Sequence, residues 1–175
     1  MTIHRAVQSE LDDVLALVRE CVEQMHSQGV DQWDEDYPNA RILMEDIRLG
    51  RMFTYRDGEE IVGMMTLDEN QEEQFEAISF RDEGGRALIA HRLAVKPSHQ
   101  GQGIAKKMLA FADSYAQEQG YSSLRFDSYS KNTKAVELYK RLGYEVRGEI
   151  MYPVLESPFF VFEKHWPAVR TDSNT

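Results

Sequence analysis

The protein has 175 residues, 42% of them hydrophobic and 29% charged, which suits one globular domain and excludes long-range disorder. Thirty acids against twenty bases leave a net charge of −10, which disfavours a nucleic-acid partner and favours a cationic substrate. The lone Cys21 excludes an internal disulfide and reads as a buried, inert thiol. No apolar run reaches transmembrane length and no basic, apolar leader is visible, so a cytoplasmic protein without a membrane partner is expected.

Thr2 to Val7 alternates weakly and predicts a first strand. Ser9 stands where a helix cap belongs, with Asp12 at the capping-box position. Leu11, Leu15, Val18, Val22 and Met25 then recur at helical steps as one apolar stripe, which Gly29 ends. Val30 to Pro38 is a loop, and Asn39 to Leu49 is a second helix carrying Ile42, Leu43 and Ile47. Met52 to Arg56 and Glu60 to Leu67 flank Asp57-Gly58, a hairpin signal. Asp68 to Glu83 is very acidic, a hairpin arm or a loop.

Arg86 to Val95 is a long apolar strand stopped by Lys96-Pro97. Gly103 to Gln119 is a helix with Ile104, Met108, Phe111, Ala112 and Tyr115 on its buried face, stopped by Gly120. A strand at Ser122 to Asp127, a helix at Asn132 to Leu142, and strands at Tyr144 to Met151 and Phe159 to Lys164 follow. The central strand–helix–strand unit predicts a parallel pairing, and the whole predicts an α+β class with a mixed sheet covered by helices. Residues 1–165 form the expected single domain and 166–175 a polar tail, loosest from Ala168 to Thr175.

Chemistry concentrates in His91-Arg-Leu-Ala-Val95-Lys-Pro-Ser-His-Gln100-Gly-Gln-Gly-Ile-Ala105. A strand enters a turn with two glycines and then a helix directly. Glycines let backbone approach a ligand, and the helix start leaves N–H groups unpaired at the positive end of its dipole. That combination suits a phosphate, although the same pattern is also a plain strand-to-helix turn. The spacing lacks the third glycine and downstream acid of a dinucleotide fold, and there is no Gly-Lys-Ser/Thr of a nucleotide loop. No Gly-x-Ser-x-Gly elbow supports a serine hydrolase. His4, His26, His91, His99 and His165 show no close metal-ligand spacing, so no metal is expected.

Gln100-x-x-Gly103-x-Ala105, following Leu93-Ala94-Val95, resembles the acetyl-CoA signature of the GCN5-related N-acetyltransferases, the GNAT superfamily. A second block, Asp127-x-x-x-x-Asn132 followed by Ala135-x-x-x-Tyr139-x-x-Leu142-Gly143-Tyr144, is similar to another block of that superfamily. The resemblance spans about Ile3 to Lys164 and is strongest from His91 to Tyr144. It implies a three-layer α/β/α fold. The mixed, mostly antiparallel sheet would have its parallel pair splayed around a CoA site and about four flanking helices. It implies acetyl-CoA as co-substrate. The N–H groups of Gly101, Gln102, Gly103, Ile104 and Ala105, opened by Gln100, would hold the pyrophosphate. The backbone of Leu93, Ala94 and Val95 would run along the pantetheine arm, with Asn132 contacting that arm and Tyr139 near the sulfur.

The chemistry of acyl transfer makes the same demands. A departing thiolate needs a proton, and a phenol with a pKa near ~10 is a protonated donor at neutral pH, so Tyr139 is the candidate acid. A core tyrosine is the alternative reading. The thioester oxygen needs a donor, for which a strand N–H near Val95 is the candidate. An alkylamine arrives protonated, so a base is needed. His91 is the first candidate, placed by strict alternation on the face of Leu93 and Val95. Its setting is similar to the His-x-Leu-Ala-Val of arylalkylamine N-acetyltransferases, without the second histidine, since Ile89 stands there. Asp127, Glu76, water, or a purely structural His91 are the alternatives. Lys96, His99, Lys106, Lys107, Lys131 and Lys134 flank both blocks, as phosphate partners or as a solvated face.

The acceptor wall is expected from Asp31 to Pro38, where Trp33, Asp34 and Tyr37 join acids to aromatics, with Asp127 as a further contact. Asp68 to Glu83, with Phe75 and Phe80, and Met64, Met65 and Tyr152 are further candidates. In the alternative, Trp33 and Tyr37 merely pin the loop. The reading is an N-acetyltransferase acting on a small cationic primary amine by direct attack in a ternary complex. A peptide or protein N-acetyltransferase and a non-catalytic acyl-CoA sensor are the rivals. A homodimer is compatible with the family habit.

Overall fold

Hydrophobic alternation and glycine punctuation build one mixed sheet, and the computed structural model describes residues 2–167 of it and its coverings. The strands are β1 (Thr2–Arg5), β2 (Met52–Asp57), β3 (Glu60–Asp68), β4 (Ala87–Val95), β5 (Ser123–Tyr129), β6 (Glu145–Ile150) and β7 (Phe159–His165). Their order across the sheet is β1-β2-β3-β4-β5-β7-β6. Every pairing is antiparallel except β4 with β5. The helices are α1 (Leu11–Ser27), α2 (Ala40–Arg48), α3 (Ile104–Glu118) and α4 (Thr133–Arg141).

The helices α1 and α2 cover one face, packing Val14, Leu17, Leu43 and Ile47 on Met52, Met64 and Ala94. On the other face, α3 and α4 pack Ile104, Met108, Ala112 and Val136 on Val62, Met65, Leu88 and Phe126. This is the expected α+β, three-layer arrangement. It follows from strands with a different apolar set on each face.

The first helix starts differently from expectation. Gln8–Glu10 form a short 3₁₀ turn, and the capping carboxylate belongs to Glu10, which accepts the Val7 N–H at 2.8 Å. Glu10 also takes Arg56 and His4, partners from other strands that a local capping pattern does not contain. Asn39, expected as the first residue of the second helix, instead caps α2, accepting the Ile42 N–H at 3.1 Å. The Asp57-Gly58 hairpin forms as expected, with Gly58 at φ 61° and Asp57 opposite Glu60.

The acidic segment is no hairpin arm. Only a 3₁₀ turn at Glu73–Ala77 is regular, and Phe75 and Phe80 sink into a third cluster with Tyr129, Ile150 and Phe159. Buried Glu163 on β7 fastens it, accepting the Arg81 N–H at 2.7 Å. Met64 and Met65 are core, each 0% exposed, because successive β3 residues serve opposite layers. At the far end, the Trp166 N–H donates to the Ser122 carbonyl at 2.9 Å. The tail expected at Ala168 to Thr175 lies outside the described residues.

Two irregularities of β4 set the geometry at the centre of the sheet. Its pairing with β5 holds for Ala87, Leu88 and Ile89 opposite Ser123, Leu124 and Arg125, after which the strands separate. Its pairing with β3 steps from Thr66–His91 to Met64–Ala94, so Arg92 and Leu93 together oppose Met65 in a β-bulge.

Candidate active site

The separation of β4 and β5 opens a cavity of about 330 Å³. His91, Arg92 and Leu93 line it from β4, Phe126, Asp127 and Ser128 from β5, and Asn132 and Tyr139 from α4. The loop after α1 adds Asp31, Gln32, Trp33, Asp34 and Tyr37, and the loop after β6 adds Tyr152, Val154 and Leu155. Glu72 reaches it from the acidic segment.

His91 and Leu93 do not share a face as alternation requires. The bulge adds one residue, so Leu93 and Val95 stay with Leu88 and Ala90 on the α3 side. His91 turns to the α2 side, where its Nε2 lies 2.9 Å from Asp68 Oδ1. Burial pushes the Asp68 carboxyl up, but the His91 hydrogen bond, its charge, the Asn70 N–H and Arg51 outweigh it, and the group ends below its ordinary value. An ionised Asp68 only accepts, so the Nε2 of His91 is the donor in this pair and Nδ1 is the ring nitrogen outside it.

Across the cavity, burial raises the Asp127 carboxyl above its ordinary value, although the Tyr152 hydroxyl donates to its Oδ2 at 2.5 Å. Tyr139 packs edge-on against Phe126 at 4.8 Å and Phe162 at 5.4 Å. Its hydroxyl makes no hydrogen bond to another described residue. Burial, then the Asp127 charge, push its pKa from 10.0 to about 12.

The glycine turn lies beyond the cavity, at the C-terminal end of β4. Gly101 and Gly103 have φ of 78° and 79°, and a Cβ at either would meet open space. The helix ladder of α3 begins with Lys107 N–H to Gly103 carbonyl at 3.0 Å, so the N–H groups before it stay outside the ladder. Gln100 braces the turn, its Nε2 donating to the Val95 carbonyl at 3.0 Å and to Gln24 at 2.8 Å. The side chains of Ala94, Val95 and Ile104 are buried, leaving backbone as what these residues can offer.

Residues 14–144 match the model of the Acetyltransferase (GNAT) family. The chain belongs to that family. The uncharacterized N-acetyltransferase YesJ of Bacillus subtilis is 23% identical over 145 residues, 82% of this chain and 81% of that protein. The thialysine N-epsilon-acetyltransferase of Sus scrofa is 39% identical over 59 residues, 34% of this chain and 35% of that protein. A GNAT-family acetyltransferase structure from Streptococcus agalactiae superposes with a TM-score of 0.80 at 24% identity, covering 94% of this chain and 95% of that one. The PaiA N-acetyltransferase of Thermoplasma acidophilum, solved in complex with coenzyme A, has a TM-score of 0.70 at 16% identity over 94% of this chain and 98% of its own. At these identities the structural likeness is one of fold.

Within this GNAT chain, His91, Leu93, Asp127, Asn132, Tyr139, Trp33, Asp34 and Tyr37 all line the one cavity. Asn132 also caps α4, its Oδ1 accepting the Ala135 N–H at 3.4 Å. Trp33 is 4% exposed and packs with α1 and α2, so it both pins the loop and shows an edge to the cavity. Asp34 Oδ1 accepts the N–H groups of Asp36 and Tyr37 at 2.8 and 2.9 Å, which shapes the loop. Phe75, Phe80 and Glu76 are not among the lining residues. Of the flanking bases, Lys96 pairs with Glu60 and Glu20, and Lys131 with Asp31 at 3.8 Å. Sequence reasoning held Asp68 and Glu72 only within the broad acidic segment and missed Arg92 and the pairing of Asp68 with His91, which depend on tertiary contacts. Among the described residues no group of three or more His, Cys, Asp or Glu is arranged to hold a metal, and no helix is long and apolar enough to cross a membrane.

Proposed function

We propose that this GNAT protein transfers an acetyl group from acetyl-CoA to the primary amine of a small cationic acceptor. The observation that carries the reading is the 330 Å³ cavity at the β4/β5 separation, which gathers His91, Asp127 and Tyr139. The residues fit the co-substrate. Two left-handed glycines with no neighbour where a Cβ would sit leave room for a diphosphate against the free amides of Gly101 to Ala105. The β4 edge from Ala90 to Val95, unpaired with β5, gives the pantetheine amides backbone to bind, and Asn132 stands beside it.

When bound, acetyl-CoA supplies an activated acetyl thioester. Asp34, Glu72 and Asp127 draw the acceptor's ammonium in, and Tyr37, Tyr152 and Trp33 wall its path. His91 Nδ1 takes the amine proton while Asp68 holds the Nε2–H. Tyr139 Oη, held neutral, gives its proton to the departing sulfur. The test is thiol release from acetyl-CoA against polyamines, arylalkylamines, amino acids, aminoglycosides and short peptides, with calorimetric acetyl-CoA binding on the same sample. Turnover on small cationic amines supports the reading. Turnover on peptides alone favours a peptide acetyltransferase, binding without turnover favours a sensor, and failure to bind refutes the assignment.

A further inference from the structure

We propose that Asp46, on α2, is a positioning residue of this active site, acting through Arg92 to hold the β4 bulge that sends His91 and Leu93 to opposite faces. The inference rests on the acetyltransferase reading. Arg92 sits at φ 52°, the only non-glycine with a positive φ among the described residues. That conformation is disfavoured for a side chain with a Cβ and persists only where the surroundings over-determine it.

The surroundings here are few and specific. Arg92 Nη2 and Nε both donate to Asp46 Oδ2, at 2.6 and 2.9 Å. The same oxygen accepts the Thr66 hydroxyl at 2.9 Å. Thr66 is the register partner of His91, so one carboxylate ties both strands at the point where the register slips. Asp46 is 4% exposed, so the tie is shielded from water. Arg92 Nη1 also donates to the Tyr37 hydroxyl at 3.2 Å, which carries the brace into the acceptor loop. With Arg92 released, the bulge can migrate along β4, and a shift of one residue turns His91 away from Asp68.

The experiment compares wild type with Asp46→Asn, Arg92→Gly and the double variant in steady-state kinetics, acetyl-CoA binding and amide exchange. Asp46→Asn keeps the shape and removes the charge. It should lower kcat at least tenfold, while acetyl-CoA binding, still anchored at the untouched glycine turn, weakens by less than kcat falls. Amide exchange at His91 to Leu93 should quicken at least tenfold, with the α1 amides unchanged. Glycine accepts the positive φ without a brace, so the double variant should regain kcat relative to Asp46→Asn. A kcat of Asp46→Asn equal to wild type, or a double variant no better than the single, overturns the proposal and leaves a merely structural ion pair. If wild type turns over no amine, the acetyltransferase reading fails on its own. Exchange then decides the brace, and unchanged exchange at His91 to Leu93 overturns it.

Discussion

Replacing Tyr139 by Phe removes one hydroxyl and nothing else from the cavity wall. The ring stays packed on Phe126 and Phe162, and the hydroxyl has no described partner to strand, so the change in stability should stay within about 0.5 kcal/mol. The functional loss should be far larger. Burial carries the phenol from 10.0 to about 12. The site thus favours the phenol over the phenolate more than water does. At pH 9 only about one molecule in a thousand then holds a Tyr139 phenolate. A positioned proton donor is worth a factor of about 10² to 10⁴ in rate, or ~3–5 kcal/mol of barrier. Tyr139→Phe should therefore lower kcat by that factor in the thiol-release assay, with acetyl-CoA binding and the melting temperature nearly unchanged. A variant that melts like wild type and turns over like wild type would remove Tyr139 from the acid role.

Gly103→Glu should abolish acetyl-CoA binding by calorimetry, and Gly103→Ala should weaken it less, since both carry the strain of φ 79° but only the former adds an anion. Normal binding by a folded Gly103→Glu variant would refute the placement of the diphosphate. Burial raises the Asp127 carboxyl, so the folded state holds that proton more tightly than the unfolded state. Stability from this group falls as pH rises from ~3.9 through the raised folded value. Asp127→Asn should accordingly melt higher than wild type at pH 7, the gap closing below that window, while acceptor turnover drops; a lower melting temperature at pH 7 contradicts the sign. For Asp68 the sign is opposite. Its folded carboxyl lies below the ordinary value, so its stabilisation is present above ~3.9 and is lost as pH falls through the lower folded value. Asp68→Asn should melt lower than wild type at pH 7 and lower kcat by freeing the imidazole, and an unchanged kcat would detach Asp68 from His91's work.

Much of this was legible in the sequence because it is written locally. The α1 stripe, the Asp57-Gly58 hairpin, the start of the second helix near Asn39 and the two-glycine turn at Gly101 and Gly103 are signals carried by a few adjacent residues. The β4 bulge left no such mark. Bulges of this kind are readable where a glycine sits at the positive φ, and here the position is Arg92, held by a carboxylate 46 residues away. Strict alternation therefore placed His91 on the wrong face. Glu10 outcompeted Ser9 as a cap for the same reason, since its further partners come from β1 and β2. Phe75 and Phe80 looked like wall residues in an acidic loop because nothing nearby shows that Tyr129, Ile150 and Phe159 wait to bury them. The site's composition was legible, and the pairings within it were not, because each one joins segments remote in the chain.

The three residue pairs that join β4 to β5 also have a mechanical meaning. Among the described residues they are the only ladder between a half-sheet of β1 to β4 and a half-sheet of β5 to β7, so the sheet is most thinly joined along the line where the cavity opens. Under the proposed function, a pantetheine arm laid in that opening would act as a strut across the seam, bonded to one half and leaning on the other. Part of the free energy of binding then returns as cohesion of the fold, about 2.7 kcal/mol at a hundredfold excess over Kd. On that reading the molecule would be most nearly whole while it holds the co-substrate, and would loosen along the seam each time it lets go.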